Sequence, residues 1–243
     1  MQTILVKKFT VDGIPLSIYE RNTDEAKPVI FSFHGFDGYK DGDFFKREDA
    51  LARLGFIVVG LDSILHGERR IEPFEAMPYS EKMKDIHEVI IQSAIDAKRL
   101  YEKYIQYFDR VISNEVYAMG VSMGGAISIY LSTIFNLKKA VSIVGSPSMV
   151  DFYQYKKNQY NWADDFYYQS NLAYLEAHDP VIHKDLIRCP LFLTGGRQDD
   201  VIPVEMVLKL NSPLATIKLY DTPHMPNQQQ FDDAYAFLLQ KDV

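Results

Sequence analysis

The chain has little of several things, and each shortage narrows what it can be. Among its 243 residues there is one cysteine, Cys189, so no disulfide can close within the chain. Cys189 sits beside Pro190 at the start of an apolar run and reads as a packed residue, not as a nucleophile. No run of 18 apolar residues occurs, so no membrane-spanning helix is expected. The start, MQTILVKKFTVDG, lacks a cationic stretch followed by a long apolar core. It does not read as a secretory signal, and a cytoplasmic location is expected. Positive charge is in deficit, with 26 Lys and Arg against 33 Asp and Glu and a formal net charge of −7. Phosphate backbones and anionic lipids repel such a chain, so neither nucleic acid nor membrane is expected as a partner. Low-complexity tracts and internal repeats are absent.

What the chain does have is apolar strands alternating with helices. Two strands open it, over residues 3–9 and 14–21, joined by the hairpin signal Asp12-Gly13. VIFSFH (29–34), FIVVGLD (56–62), EVYAMGV (115–121), KAVSIVG (139–145), LFLTGG (191–196) and ATIKLY (215–220) read as further strands. Helices are expected over 43–54, stopped by Gly55, and from Ser122 to about Phe135. Another is expected over 80–108, where Met83, Ile86, Ile90, Ala94, Ala97, Tyr101, Tyr104 and Phe108 share one face. Two more are read near 204–210 and around Phe231, Ala234, Tyr235 and Leu238. Continuous apolar strands between helices predict a mostly parallel sheet covered on both faces.

A single domain over 1–243 is expected, since α/β units of ~200–250 residues are routine. Residues 146–188 interrupt the alternation, and about 40 residues are too many for a structureless loop. They read as a helical lid inserted in the domain. Its dense aromatic residues, Tyr153, Trp162 and Phe166 among them, are candidates to line a substrate pocket. The same aromatic surface could also pair two copies of the chain.

GVSMGG (120–125) places Ser122 between a strand and a helix. Gly-x-Ser-x-Gly alone arises by accident in roughly one chain of this length in ten, and serine is also a preferred N-cap. Context separates the two readings. A sharp strand-to-helix turn would expose the Ser122 hydroxyl at the carboxyl edge of the sheet, with Gly120 and Gly124 removing side chains that would collide. A serine nucleophile needs a base, and the base needs an orienting acid. Of the six histidines, His224 follows the last strand and opens on the same edge. His87 reads as surface or packing, His178 and His183 as exposed polar residues, and His34 as a structural residue at a strand end. The acid is one of Asp199, Asp200 and Asp221. Two backbone N–H groups, of Phe36 in HGFDG and of Met123, are candidates to hold an oxyanion.

These landmarks, in this order, resemble the α/β-hydrolase superfamily over nearly the whole chain. HGF at 34–36 is similar to the oxyanion loop, Asp62 and His66-Gly67 in DSILHGER to the landmark after the next strand, and GVSMGG to the nucleophile elbow. More narrowly, the chain resembles bacterial carboxylesterases of the prolyl-oligopeptidase-like branch, with feruloyl and cinnamoyl esterases as near cousins. The resemblance implies about eight strands with the first pair antiparallel. It places the acid on Asp199, four residues before Pro203. It also implies a catalytic set of Ser122, His224 and Asp199 that uses no metal or organic cofactor. The expected activity is hydrolysis of small apolar or aromatic carboxylic esters through an acyl-enzyme. Feruloyl-type esters, small peptides or amides, and a non-catalytic ligand-binding role are the alternatives. Acidic Asp37, Asp41 and Asp43 near the HGF loop would disfavour anionic substrates.

Overall fold

A computed structural model describes residues 3–42 and 46–240. Among these described residues, eight strands form one sheet in the order β1-β2-β4-β3-β5-β6-β7-β8. They are β1 Ile4–Val11, β2 Ile14–Arg21, β3 Lys27–Phe33, β4 Ile57–Leu61, β5 Val111–Val121, β6 Lys139–Ile143, β7 Leu191–Gly196 and β8 Ala215–Tyr220. The β1–β2 and β2–β4 pairs are antiparallel and the remaining pairs parallel. Asp12 and Gly13 both take positive φ, which suits the tight hairpin between β1 and β2.

Among the described residues, eight helices flank the sheet: α1 Arg47–Leu54, α2 Glu72–Glu75, α3 Tyr79–Lys103, α4 Met123–Ile134, α5 Met149–Tyr160, α6 Phe166–Glu176, α7 Val204–Val207 and α8 Gln228–Leu239. Alternate strand residues feed two cores. Val29, Phe31 and Phe33 of β3 pack with Met83, Ile90 and Leu100 of α3 and with Ile127 and Leu131 of α4. Ile30 between them packs on the other face with Leu51 of α1 and Phe231 and Leu238 of α8. Period-two strands between two helix layers therefore account for the unbroken apolar runs.

Several boundaries differ from the sequence expectation. The first helix begins at Arg47, and residues 43–45 of its expected span lie outside the described residues. Gly55 stops it in the left-handed conformation at φ 107°. The long helix ends at Lys103 and gives way to a short 3-10 turn over Ile105–Tyr107, so Phe108 leaves its apolar face and is partly exposed. The helix expected over 204–210 is a single turn. The small α2 is too short to show an apolar period in the sequence.

The insertion 146–188 folds as α5, α6 and a 3-10 turn. Ser148 caps α5 and Asp165 caps α6, each accepting a helix N–H. Fully buried Asp179 closes it. One carboxylate oxygen accepts from Ser148 Oγ and Val150 N, the other from Val181 N. Lys156 is buried among Phe152, Tyr155 and Tyr160, its ammonium 5.1, 5.1 and 5.9 Å from the ring centres. The Tyr155 hydroxyl donates to the Asp200 carbonyl, which ties the insertion to the loop after β7.

Among the described residues, no helix is long and apolar enough to cross a membrane. Nor does any cluster of His, Cys, Asp and Glu there have the arrangement to hold a metal ion.

Candidate active site

The loops after β3, β5, β7 and β8 meet at the carboxyl edge of the sheet. Ser122 follows β5 with φ 55° and ψ −116°, a strained conformation, and its side chain caps no helix N–H. The N-cap reading therefore fails, and the hydroxyl is directed elsewhere. A Cβ on Gly120 would lie 2.1 Å from the Gly124 carbonyl oxygen, and one on Gly124 would lie 2.2 Å from that of Phe33. These obstacles are backbone, so the turn exists only with glycine at both positions. Gly124→Ala is expected to cost about 3 kcal/mol or more, because helix and sheet must separate to admit the methyl group. Urea denaturation would contradict this if the variant lay within about 1 kcal/mol of the parent.

Ser122 Oγ lies 2.8 Å from His224 Nε2, and His224 Nδ1 lies 2.8 Å from Asp199 Oδ2. Asp199 accepts at that oxygen, so Nδ1 carries the proton and Nε2 is left to accept from the Ser122 hydroxyl. The other carboxylate oxygen of Asp199 accepts from Val201 N at 2.9 Å and Ile202 N at 2.8 Å. Asp200 is exposed, and Asp221 is exposed in an ion pair with Arg197. Of the three candidate acids, the structure thus brings only Asp199 to His224.

The Phe36 loop packs on the elbow: a Cβ at Gly35 would lie 3.7 Å from Ser122 Cβ. Among the described residues, no hydrogen bond takes the N–H of Phe36 or of Met123. His34 explains part of this. Its Nε2 accepts from Ser63 N at 3.1 Å, so Nδ1 holds the proton and donates to the Gly35 carbonyl at 2.8 Å. Gly38 N donates to the same carbonyl. That carbonyl and the Phe36 N–H belong to one planar peptide, so fixing the first turns the second the opposite way. His34 is structural, as its place at the strand end suggested. Asp62 holds the adjoining loop through Lys40 and the N–H of Glu68.

A cavity beside Ser122 is lined by Phe36, Tyr79, Met83, Ile86, His87, Ile90, Met123, Met149, Phe152, Tyr153 and Ile202, among others. The cavity is narrow, with a volume of about 40 Å³. Of the aromatic residues expected to line a pocket, Tyr153 does so. Trp162 stands behind it, ring centres 5.4 Å apart, and Phe166 is 88% exposed at the first position of α6. Both expectations are corrected: α5 presents Phe152 and Tyr153 to the cavity, while at the start of α6 Tyr167 bonds Asp85 of α3, Tyr168 stacks on Tyr153 and Phe166 faces solvent. The α3 stripe expected to face the core also supplies Met83, Ile86 and Ile90 to this lining. His87, read as surface or packing, is buried in that lining, while His178 and His183 are half-buried. Asp41 is bound to Tyr19 and Lys8, away from the cavity, and Asp43 lies outside the described residues. Cys189 is buried, which pushes its thiol up to about 12.

Burial holds both His34 and His87 down to about 4, against 6.5 when free, and lowers His66 as well. The unfolded chain therefore takes up protons near pH 6.5 that the folded chain refuses until about pH 4. The resulting stability is complete above pH 6.5 and is lost as pH falls toward 4, on the order of 2–3 kcal/mol for each of the two strongest cases. A thermal midpoint that is level above pH 7 and falls steeply below 6.5 is expected, and His87→Leu should flatten that fall. Identical pH profiles for the two proteins would contradict the assignment.

No curated protein matches the chain. Among solved structures, TT1662 from Thermus thermophilus is 19% identical with a TM-score of 0.75, covering 98% of this chain and 100% of that one. Acetyl xylan esterase 1 from Thermoanaerobacterium is 20% identical with a TM-score of 0.72, covering 98% and 88%. The acylaminoacyl peptidase of Pyrococcus horikoshii is 15% identical with a TM-score of 0.72, and 98% of this chain covers 41% of that one. At these identities the likeness carries the fold, an α/β-hydrolase fold. Residues 17–221 match the dienelactone hydrolase family along most of the chain, and the protein belongs to that family.

Proposed function

We propose that the protein is a serine esterase that cleaves small, short-acyl carboxylic esters through an acyl-enzyme. The observation that carries this reading is the chain of 2.8 Å hydrogen bonds from Ser122 through His224 to Asp199. Family membership supports ester hydrolysis, a lactone being a cyclic ester.

In this reading, Ser122 Oγ attacks the ester carbonyl while His224 Nε2 takes its proton. Asp199 keeps the imidazole in the required tautomer and stabilises the imidazolium. The N–H groups of Phe36 and Met123 receive the oxyanion, each worth ~10²–10³ in turnover. His224 returns the proton to the leaving alcohol, and water, activated by the same base, releases the acid. The insertion 146–188 acts as a lid that excludes bulk water from this step. None of the steps calls on a metal or cofactor.

The narrow cavity favours a short chain in the part of the ester it receives. The same narrowness disfavours a bulky feruloyl or cinnamoyl acyl group. Activity on p-nitrophenyl esters is expected to hold from acetate to butyrate and to fall about tenfold or more by octanoate, as overpacking costs ~1–3 kcal/mol. Equal kcat/KM across the series would refute the short-acyl assignment. A fluorophosphonate adduct on Ser122 separates this reading from a non-catalytic ligand-binding one, which predicts none.

A further inference from the structure

His87 is 2% exposed on α3, and neither ring nitrogen has a hydrogen-bond partner among the described residues. A buried polar group left unpaired costs about 1–3 kcal/mol, so it calls for an explanation. His87 lines the cavity that holds Ser122, with its ring edge-on to Tyr153 at 5.6 Å. The other buried polar groups of that lining are already engaged. Ser148 Oγ donates to Asp179 and accepts from Asp151 N, Ser146 Oγ donates to the Ser148 carbonyl, and the Tyr153 hydroxyl accepts from Asn171. The rest of the lining near His87 is apolar: Met83, Ile86, Ile90 and Phe152. The cavity is thus an apolar slot with one unspent imidazole in its wall.

We propose that His87 is a specificity-determining residue that hydrogen-bonds a hydroxyl on the part of the ester occupying this slot, so that short hydroxylated esters are the preferred substrates. This rests on the serine-esterase reading above. A neutral imidazole offers one N–H donor and one acceptor nitrogen. A hydroxyl is both donor and acceptor, so it satisfies whichever nitrogen faces the slot; a ketone oxygen satisfies only the N–H. A carboxylate would enter an apolar slot that gives it no cation, at high desolvation cost. An unsubstituted alkyl chain fills the space and leaves both nitrogens unpaired. Pockets built to bond a substrate hydroxyl discriminate far more sharply than apolar ones do.

The test compares kcat/KM for ethyl 3-hydroxybutyrate against ethyl butyrate, and for 4-hydroxybutyl acetate against butyl acetate. The first pair places the hydroxyl on the acyl side and the second on the alcohol side. At least one pair should favour the hydroxylated ester by about tenfold in the parent protein. His87→Leu should bring that ratio to one or below, and His87→Gln, which keeps a donor and an acceptor, should preserve part of it. A merely structural role for His87 would lower both members of a pair together and leave the ratio unchanged. Ratios near one in both pairs of the parent protein overturn the proposal even if His87→Leu fails to fold. If the parent still cleaves ethyl butyrate and Ser122 still takes a fluorophosphonate, the esterase reading survives that result. Absence of both would sink the esterase reading and the proposal with it.

Discussion

Ser122→Ala is expected to lower kcat on p-nitrophenyl acetate by about 10⁴-fold or more. The variant loses the oxygen that attacks the carbonyl and the 2.8 Å contact to His224 Nε2, and nothing else in the site can take over. Cys189 is buried with its thiol pushed up to about 12, and it lies off the elbow. The strained φ of 55° at Ser122 is equally strained for alanine, so the fold should persist with little change in stability. Loss of activity should therefore appear in kcat with an unchanged thermal midpoint, and fluorophosphonate labelling should vanish. Hydrolysis within tenfold of the parent would remove Ser122 from the mechanism.

Asp199→Asn is expected to cost about 10⁴-fold in kcat, against about twofold or less for Asp200→Asn. The reason is directional. One oxygen of Asp199 accepts two backbone N–H groups, from Val201 and Ile202. An asparagine there must keep its carbonyl oxygen toward those donors, which turns its NH₂ toward His224 Nδ1. That nitrogen would then have to accept, the proton would move to Nε2, and the base could no longer take a proton from Ser122. Asp200 reaches the site only through its backbone carbonyl, which accepts from Tyr155, so its side chain can change freely. Comparable losses in the two variants, or loss confined to Asp200→Asn, would reverse the assignment. The cleanest measurement is kcat across pH 6–9 with stability checked in parallel.

Much of the site was readable from local signals. The glycines of GVSMGG answer to backbone collisions within a few residues of Ser122, and the apolar strands around it follow period two. His224 could be chosen because it follows the last strand, and strand order along a parallel sheet puts such loops on one edge. Less was readable where two residues share the same local pattern. Asp199 and Asp200 are neighbours with the same chemistry, and only the family spacing favoured the first. Tyr153, Trp162 and Phe166 were equivalent as aromatic residues of one segment. His87 sits on a helix whose apolar stripe was legible, but which neighbour that stripe meets was not.

The division has a physical basis. The sequence by itself determined the kind and order of the elements, the sharp turn at Ser122 and the loops that could join it, because these depend on contacts a few residues apart. Only the tertiary structure decided that Asp199 faces His224, that α5 rather than the start of α6 covers the cavity, and that His87 stands unpaired in its wall. The first depends on the parallel pairing of β7 and β8, which sets their following loops side by side, and the other two on how the insertion docks against α3. That docking brings together side chains far apart in the chain, and no local period encodes it.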